Sequence, residues 1–586
     1  MSQFLKAISY SPFLAIDTES NGKDYRWNPE ARTVGISVAF RPDPQSDVIY
    51  DYFAYHHRLG RNYPSEHIDE LKPAIEEHPF LIFHNAKHDI LALENLGINV
   101  RNKFYFCTML GTHWINENLL SKSLDFASQT FGGKPKIRSG LMKNIIKALG
   151  WDWIPSEIMW EYAAHDAYIT YELFEKIWPI FRAEGYAGEL WDIERDFTKL
   201  IMRMEEIGVR VNPDVCHDEI MAGEQRMLEI TKSLNDFNPN SPKDLEIILI
   251  DCLGLKPYPE LTKTGRLAWH KQAMAYYEEE LSTLEDHTAE LVLEYRGWLK
   301  AISAYYRAYL HLQSPEGILH PNFKLHGTRT GRLSCERPNL QQIPRYSAKR
   351  WSQSAKRAIR PRSGYILWEA DYANLEFRLG AIYANEPNMV EPLKKGFKPF
   401  DSMANLIFGL SPEDGDIFQE RRQDCKTFTY MTAYGAGPAK IAATMKRDPE
   451  WAFKMRDDWW STYPGMRNTS RLAQRKAEAR GYALLWTGRR RHFDDGVGTH
   501  KAFNAVIQGG AAELVKRTML VLGQVIDWDD CKLLLQIHDS CVFEIKIGTE
   551  GHWIPIIRQV MEDVSAHHQK FGLVPFPVDV KKWGSK

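Results

Sequence analysis

The feature that most constrains this chain of 586 residues is a pair of carboxylates at the end of an apolar run near its N-terminus. Phe13 to Ile16 are typical of a strand, and Asp17 and Glu19 follow directly. Side chains two residues apart on a strand share one face, so both carboxylates point the same way. Because two such charges repel unless a proton or a cation lies between them, the pair predicts a divalent-cation site in an α/β domain.

Two further pairs of polar residues follow at helical spacing. Asn85 and Asp89 are four residues apart, as are Tyr162 and Asp166, so each pair would share one helix face. Four acids and a tyrosine suit the cleavage of a phosphodiester by two metal ions, with the tyrosine orienting the attacking water. Taken alone, the Tyr162–Asp166 pair would also be typical of an ordinary half-buried helix.

A second group of acids lies in the C-terminal half. Asp371 ends a strand-like run that begins at Tyr365, Glu376 starts a predicted helix, and Asp539 stands at the tip of a predicted hairpin. If Asp371 and Asp539 meet, they could hold two metal ions that activate a 3′-hydroxyl and bind a triphosphate. A His-Asp pair at a turn is also expected from turn chemistry alone.

A helical stripe lies between these acids. Its members are spaced four residues apart: Arg422, Lys426, Tyr430 and Tyr434. The two cations could hold phosphates, with Lys426 protonating a leaving pyrophosphate, and the two rings could support a base pair. The same spacing would also fit a partly buried surface.

Composition adds weaker constraints. The formal net charge of −2 does not decide on a nucleic-acid partner, but Arg345 to Arg362 and Arg489 to Arg491 are locally basic. Seven cysteines without a CxxC pair predict reduced thiols in a cytoplasmic protein, with neither a zinc site nor a disulfide. No apolar run reaches the ~18 residues of a membrane span, and no secretion signal is recognisable.

The N-terminal pairs, taken in their order, resemble the three motifs of the DnaQ-like 3′→5′ proofreading exonucleases. The resemblance covers roughly residues 10–185 and implies a ribonuclease-H-like fold. It implies catalytic or metal-binding roles for Asp17, Glu19, Asp89, Tyr162 and Asp166, with the four acids as the metal ligands. Cys107 stands where relatives often carry an aspartate, at a position that is not a metal ligand in the family.

The C-terminal segments resemble the family A DNA polymerases over about residues 190–586. Motifs A, B and C are matched by Asp371 to Arg378, Arg422 to Gly435 and Gln536 to Ser540. Thr330 to Pro344 and Asn504 to Glu513 are similar to segments that contact DNA in the family. The resemblance implies a right hand of palm, fingers and thumb.

The polymerase resemblance also implies roles for single residues. Asp371 and Asp539 would be metal ligands, and Arg422 and Lys426 would bind the incoming triphosphate, with Lys426 also catalytic. The nucleotide site would further include Tyr434, Glu376 and Tyr430, of which the last two would crowd the sugar 2′ position. The implied DNA-binding residues are Arg332, Asn339, Gln341, Asn504, Gln508 and His538.

Three positions depart from the polymerase pattern. Ser540 stands where many relatives have a glutamate, and His500 where an arginine is frequent. The fingers segment Lys398 to Asp401 lacks the histidine that often contacts the triphosphate. Lys394, Lys395 and Lys398 are candidates to replace it.

The predicted fold class is α/β multidomain, with a ribonuclease-H-like exonuclease domain followed by a right-hand polymerase domain. The exonuclease domain would span residues 1–187 and the polymerase domain 188–586. Within the latter we place the thumb at about 190–320, the palm at about 321–385 and 490–586, and the fingers at about 386–489. Two Mg²⁺ ions per active site, with Mn²⁺ as a substitute, are the implied cofactors.

The predicted partners are primer–template DNA and deoxynucleoside triphosphates, together with a replicative helicase and a single-strand-binding protein. The chain is expected to be a monomer. The segment before Asp17 is too short for a 5′-nuclease domain, so the expected role is that of a bacteriophage replicative enzyme in the host cytoplasm. An organellar or bacterial repair polymerase is the alternative.

Two other functions weigh less. A single-subunit RNA polymerase shares the palm, but Glu376 at the sugar gate and the exonuclease motifs argue against it. A catalytically inactive DNA-binding scaffold would not need the metal-binding acids, all of which are present.

Overall fold

The computed structural model describes residues 2–137, 139–262, 264–282, 286–344 and 350–585. Arg345 and Lys349, two members of the predicted basic run, lie outside these residues. Among the described residues, no helix is long and apolar enough to cross a membrane.

A five-stranded sheet forms the centre of the N-terminal part. Its strands are β1 (Leu14–Ser20), β2 (Thr33–Phe40), β3 (Ile49–Ala54), β4 (Leu81–Phe83) and β5 (Tyr105–Cys107). They lie in the order β3-β2-β1-β4-β5, and β1 pairs antiparallel with β2 and parallel with β4. The central strand β1 is buried at every position but Asp17, as expected of a strand covered on both faces.

Helices cover this sheet on both sides. They are α1 (Ser2–Tyr10), α2 (Glu66–Glu76), α3 (Ala86–Asn95), α4 (Thr108–Ile115), α5 (Leu124–Thr130), α6 (Ser139–Leu149) and α7 (Ser156–Ala183). Helix α7 crosses β1, β2 and β3 and buries Leu173, Phe174 and Ile177 in the core. This crossing brings the N-terminal half of α7 next to the end of β1.

The sheet domain is followed by α8 (Glu189–Ile207), an amphipathic helix whose buried face includes Phe197, Ile201 and Met204. It ends at Gly208, where φ is 61° and a Cβ atom would lie 2.3 Å from the Leu319 carbonyl oxygen. A side chain would be both strained and obstructed there, so glycine lets the chain enter β6 (Val209–Val211).

A mostly helical region follows. Its helices are α9 (Pro213–Ser233), α10 (Pro242–Glu246), α11 (Lys271–Ser282), α12 (Thr288–Ala301) and α13 (Arg307–Leu312). The segments Ile247–Cys252 and Ile302–Tyr306 are π-helical. This region has a small core of its own, to which Ile230, Met274 and Val292 contribute.

The C-terminal part contains a four-stranded antiparallel sheet. Its strands are β11 (Tyr365–Tyr372), β14 (Cys531–Ile537), β15 (Ser540–Lys546) and β16 (Val578–Lys582), in the order β14-β15-β11-β16. The smaller strands are β7 (Ile318–Leu319), β8 (Asn322–Lys324), β9 (Ser334–Glu336), β10 (Ile359–Arg360), β12 (Tyr482–Leu484) and β13 (Arg490–His492).

Helices complete the C-terminal part. Around the sheet lie α14 (Arg350–Arg357), α15 (Leu375–Ala384), α22 (Ala502–Val525) and α23 (Glu550–Glu562). Between β11 and β12 the chain forms α16 (Pro387–Lys394), α17 (Pro399–Phe408), α18 (Gly415–Ala433), α19 (Pro438–Met445), α20 (Pro449–Thr462) and α21 (Pro464–Arg480). The domain and subdomain boundaries given above stay predictions.

A buried charge network joins α8 to α22. Lys516 Nζ lies 2.5 Å from Glu194 and 3.5 Å from Glu513, and Arg489 also pairs with Glu513 at 3.2 Å. Each of these side chains is at most 5% exposed. Since water cannot solvate an unpaired charge at such a position, the partners depend on one another.

We expect Lys516→Ala to destabilise the chain by about 3–5 kcal/mol, because it leaves a buried acid without its cation. Lys546→Ala is the matched control, since that lysine pairs with Asp530 at an exposed position. Thermal denaturation of both variants tests this; equal melting temperatures for the two variants would contradict it.

Candidate active sites

The first cluster of acids forms where α7 crosses β1. Carboxylate oxygens of Asp17, Glu19 and Asp166 all lie within 4.8 Å of one another. The strand supplies the first two from one face, as its alternation predicts, and the helix supplies the third. Tyr162 stands one helical turn before Asp166 on the same helix.

Asp89 joins this cluster from α3. It is 1% exposed, and its Oδ1 accepts hydrogen bonds from the Thr18 backbone N–H (3.1 Å) and the Thr18 hydroxyl (2.8 Å). Asn85, the other member of the predicted pair, is the residue before the helix and has φ 78°. Asparagine tolerates this left-handed conformation, which turns the chain from β4 into α3.

The site carries more negative charge than its surroundings can solvate. Burial raises the pKa of Asp17 to about 7, with a contribution from Asp166. Burial likewise raises the pKa of Asp166 to about 6, although Lys136 opposes this. The pKa values of Glu19 and Asp89 are raised well above their usual range, mainly by burial.

Two carboxylate oxygens in the cluster, Asp89 Oδ2 and Asp166 Oδ1, are buried without a hydrogen-bond partner in the described part of the chain. Crowded, desolvated carboxylates with unused oxygens are the donor set that hard divalent cations bind. The residues present therefore fit the predicted metal site.

Lys136 is a site residue that the sequence analysis missed. Its ammonium forms an ion pair with Asp166 and lies 5.1 Å from the centre of the Tyr162 ring. The Lys136 backbone N–H donates to Asp125 at 2.8 Å, which holds the segment in place. Burial alone would lower the pKa of Lys136, but Asp166 and its neighbours outweigh burial and raise it, so the ammonium stays charged.

No sequence signal identifies Lys136. A lysine in a loop after Gly132 and Gly133 is typical of a solvated surface, and the contact depends on how α5 and α7 pack.

The second pair of acids meets in the C-terminal sheet. The register of β11 and β15 sets Asp371 opposite Ser540, and the Tyr372 backbone N–H donates to the Asp539 carbonyl at 3.4 Å. The turn residue His538 has φ 58°, which closes the hairpin between β14 and β15. The backbones of Asp371 and Asp539, far apart in the sequence, are therefore neighbours.

An arginine side chain lies next to the acids of this second cluster, which we call the palm acids (Asp371, Glu376 and Asp539). Arg332 forms an ion pair with Glu376 and lies 3.5 Å from Asp539 Oδ1. Burial raises the pKa of Glu376, while Arg332 opposes the rise and Asp539 adds to it. Ser540, where relatives often have an acid, is buried and donates to Glu369 at 3.4 Å.

The predicted stripe lies along α18. The rings of Tyr430 and Tyr434 stack with centroids 5.6 Å apart and an interplanar angle of 29°. Burial raises the pKa of Tyr430, and the charge of nearby Glu376 adds to the rise. At the other end of the stripe, Arg422 Nε donates to Asp401.

Except for His538, which is exposed, the predicted DNA-binding residues are buried or partly buried. Gln341 is buried, and its Nε2 donates to Gln536 Oε1 at 2.7 Å, while the Asn339 side chain accepts from the Gln341 backbone N–H at 3.2 Å. Asn504 and Gln508 lie one turn apart on α22, and Asn504 Oδ1 is buried without a partner in the described residues. Their contacts with DNA stay predictions.

Much of the local positive charge has a structural role. Lys356 pairs with Glu369 and Arg362 with Glu544, each at 2.8 Å. The second basic segment also binds acids within the chain: Arg489 pairs with Glu513 at 3.2 Å, Arg490 with Glu184 at 3.2 Å and Arg491 with Glu117 at 2.7 Å. Arg357 and Arg360 are exposed.

Removing the Lys136 ammonium should strengthen divalent-cation binding to the N-terminal cluster, because Asp166 then has no competing partner. We expect Lys136→Ala to bind Mn²⁺ about 10-fold more tightly, the size of a lost charge-assisted bond. Lys134→Ala is the control, since Lys134 is exposed and pairs with Glu172 at 3.8 Å. Unchanged Mn²⁺ affinity of Lys136→Ala in a calorimetric titration would contradict the assignment.

Comparison with protein families agrees with the two clusters. Residues 213–585 match the family described as DNA polymerase family A, and residues 1–182 match the family described as 3′-5′ exonuclease. The N-terminal cluster lies in the second range and the palm acids lie in the first.

Individual relatives are bacterial. The chain is 27% identical over 567 residues to a DNA polymerase I of Pseudomonas aeruginosa, covering 93% of this chain and 60% of that protein. It is 26% identical over 588 residues to a DNA polymerase I of Chloroflexus aurantiacus, covering 96% of this chain and 60% of the relative. The chain thus spans about 60% of the length of these relatives.

A solved structure shares the fold. The POL domain of Pol1 from M. smegmatis, in complex with a DNA primer-template and a dNTP, superposes with a TM-score of 0.81 at 20% identity, covering 100% of this chain and 97% of that one. This likeness confirms the predicted α/β multidomain class and right-hand polymerase fold. Because residues 213–585, well over half of this chain, match the family A polymerases, the chain belongs to DNA polymerase family A. It carries a 3′-5′ exonuclease domain ahead of the polymerase region.

Proposed function

We propose that this chain is a template-directed DNA polymerase that extends a primer 3′-hydroxyl and proofreads with its own 3′→5′ exonuclease. The observation that carries the proposal is the presence of two separate acidic centres, one around Asp17 and Asp166 and one around Asp371 and Asp539. Each lies in the region that matches the corresponding family.

Divalent cations are the proposed cofactors of both centres. Asp17, Glu19, Asp89 and Asp166 would hold them in the exonuclease domain, and Asp371 and Asp539 in the palm. Mg²⁺, two per site and with Mn²⁺ as a substitute, would supply activation of the attacking oxygen and stabilisation of developing charge.

In the exonuclease domain, the protein itself would orient the attacking water. Burial raises the pKa of Tyr162 to about 12, so its hydroxyl stays protonated and can donate or accept a hydrogen bond. Lys136 stands beside the ring with a fixed positive charge, where it can neutralise a phosphate oxygen.

In the polymerase region, α18 would bind the nucleotide. Arg422 and Lys426 would hold the triphosphate, with Lys426 protonating the pyrophosphate, and the stacked rings of Tyr430 and Tyr434 would support the base pair. Glu376, held by Arg332 near Tyr430, would crowd the sugar 2′ position and favour deoxynucleotides over ribonucleotides.

The biological role is inferred from the relatives of this chain. The bacterial relatives favour a role like that of bacterial DNA polymerase I over the predicted bacteriophage replicative role. The helicase and single-strand-binding partners, the monomeric state and the cytoplasmic location stay predictions.

The two activities should be lost separately. We expect Asp539→Ala to abolish primer extension but keep single-strand degradation, and Asp166→Ala to do the reverse. Each loss of activity should exceed about 100-fold. Even substitution of a residue that only hydrogen-bonds to a metal ligand typically lowers metal affinity or activity about 10–100-fold. The measurement is gel analysis of a labelled primer–template with and without dNTPs, in Mg²⁺.

Each variant serves as the control for the other, because both keep one intact centre. If Asp539→Ala extended primers like the wild type, the palm assignment would fail. A wild-type protein that degrades primers but never extends a matched one would contradict the polymerase proposal itself.

A further inference from the structure

The fingers segment at the start of α17 lacks the histidine that often contacts the triphosphate in this family, and an apolar residue lies there. Phe400 is fully buried, with its ring centroid 5.8 Å from Tyr430 and 5.5 Å from Phe377. It anchors α17 against α18 and α15 but offers no hydrogen-bond donor. Of the lysines considered above, Lys394 pairs with Glu391 on its own helix, at 2.9 Å.

The next residue along the chain, Asp401, faces the triphosphate-binding end of α18. Its Oδ1 accepts a hydrogen bond from Arg422 Nε. Both side chains are partly shielded, with 22% of Asp401 and 30% of Arg422 exposed. Because Phe400 is locked between two rings, the backbone that carries Asp401 is fixed relative to α18.

The geometry of this contact matters for what the guanidinium can do. Arginine presents five N–H donors in a planar fork, and a bond through Nε fixes the plane of that fork. The carboxylate then lies at the stem of the fork, while the terminal amino groups are the donors suited to phosphate oxygens. A guanidinium ordered before the ligand arrives loses less freedom on binding.

We propose that Asp401 is a positioning residue for the incoming triphosphate, acting through Arg422. In this chain the carboxylate of Asp401 orients the arginine, and the ordered arginine takes over phosphate contact that the absent histidine would have made. The inference rests on the proposed polymerase function. Asp401 would not bind the triphosphate directly, because the carboxylate and the triphosphate are both negatively charged.

The test compares nucleotide KM and kcat for three variants. We expect Asp401→Ala to raise the KM for dNTP about 10-fold, as for a lost bond to a charged group, with kcat changed less than about twofold. Asp401→Asn keeps a carbonyl oxygen that can accept from Nε, so it should restore most of the affinity.

Asp424→Ala is the matched control. Asp424 pairs with Arg421 at 2.8 Å on the same helix, with similar exposure, but away from the stripe. Its KM should stay at the wild-type value. Melting temperatures of Asp401→Ala and Asp424→Ala should agree, which separates positioning from a general loss of stability.

Three results would overturn the inference. A KM that is unchanged in Asp401→Ala would show that the contact has no role, and a lower KM would show that Asp401 competes with the triphosphate. If Asp401→Asn did not restore the affinity for dNTP, the hydrogen bond that orients Arg422 could not be the cause of the higher KM in Asp401→Ala. If the wild type extended no primer, the proposed function would fail as well; normal wild-type extension with any of these results defeats the Asp401 inference alone.

Discussion

Repulsion among desolvated carboxylates is the interaction on which the exonuclease centre depends. Asp17 and Glu19 share a face because a strand alternates, and the crossing of α7 over β1 adds Asp166. The same packing that forms the core removes water from these acids, and burial raises the pKa of each. Such a cluster is stable only with protons or cations present, which is the physical basis for proposing a divalent-cation site here.

In each centre a side-chain cation of the protein lies beside the acids. Lys136 pairs with Asp166 in the exonuclease domain, and Arg332 stands between Glu376 and Asp539 in the palm. A fixed positive charge beside an acid offsets part of the repulsion and can later attract a phosphate. The two sites share this arrangement although one is built on a mixed sheet and the other on an antiparallel hairpin.

Local features of both sites could be predicted from the sequence. Strand alternation places Asp17 with Glu19, and helical spacing places Tyr430 with Tyr434, because these patterns depend only on neighbouring residues. The meeting of Asp371 with Asp539 depends on sheet register between distant segments, which spacing cannot supply. For the same reason the sequence does not reveal Lys136 as a site residue. It also shows Arg489 to Arg491 only as local positive charge, although these arginines pair with acids inside the chain.

The central claim is that the exonuclease acids exchange protons for divalent cations. Calorimetric titration with Mg²⁺ at about pH 6.5, in two buffers with different ionisation enthalpies, counts the protons released, because metal ligands must be deprotonated. With the pKa of Asp17 raised to about 7 and that of Asp166 to about 6, the wild type should release protons on binding, and Asp17→Asn/Asp166→Asn should release fewer. Identical heats in both buffers for the wild type, meaning no proton release, would contradict the account.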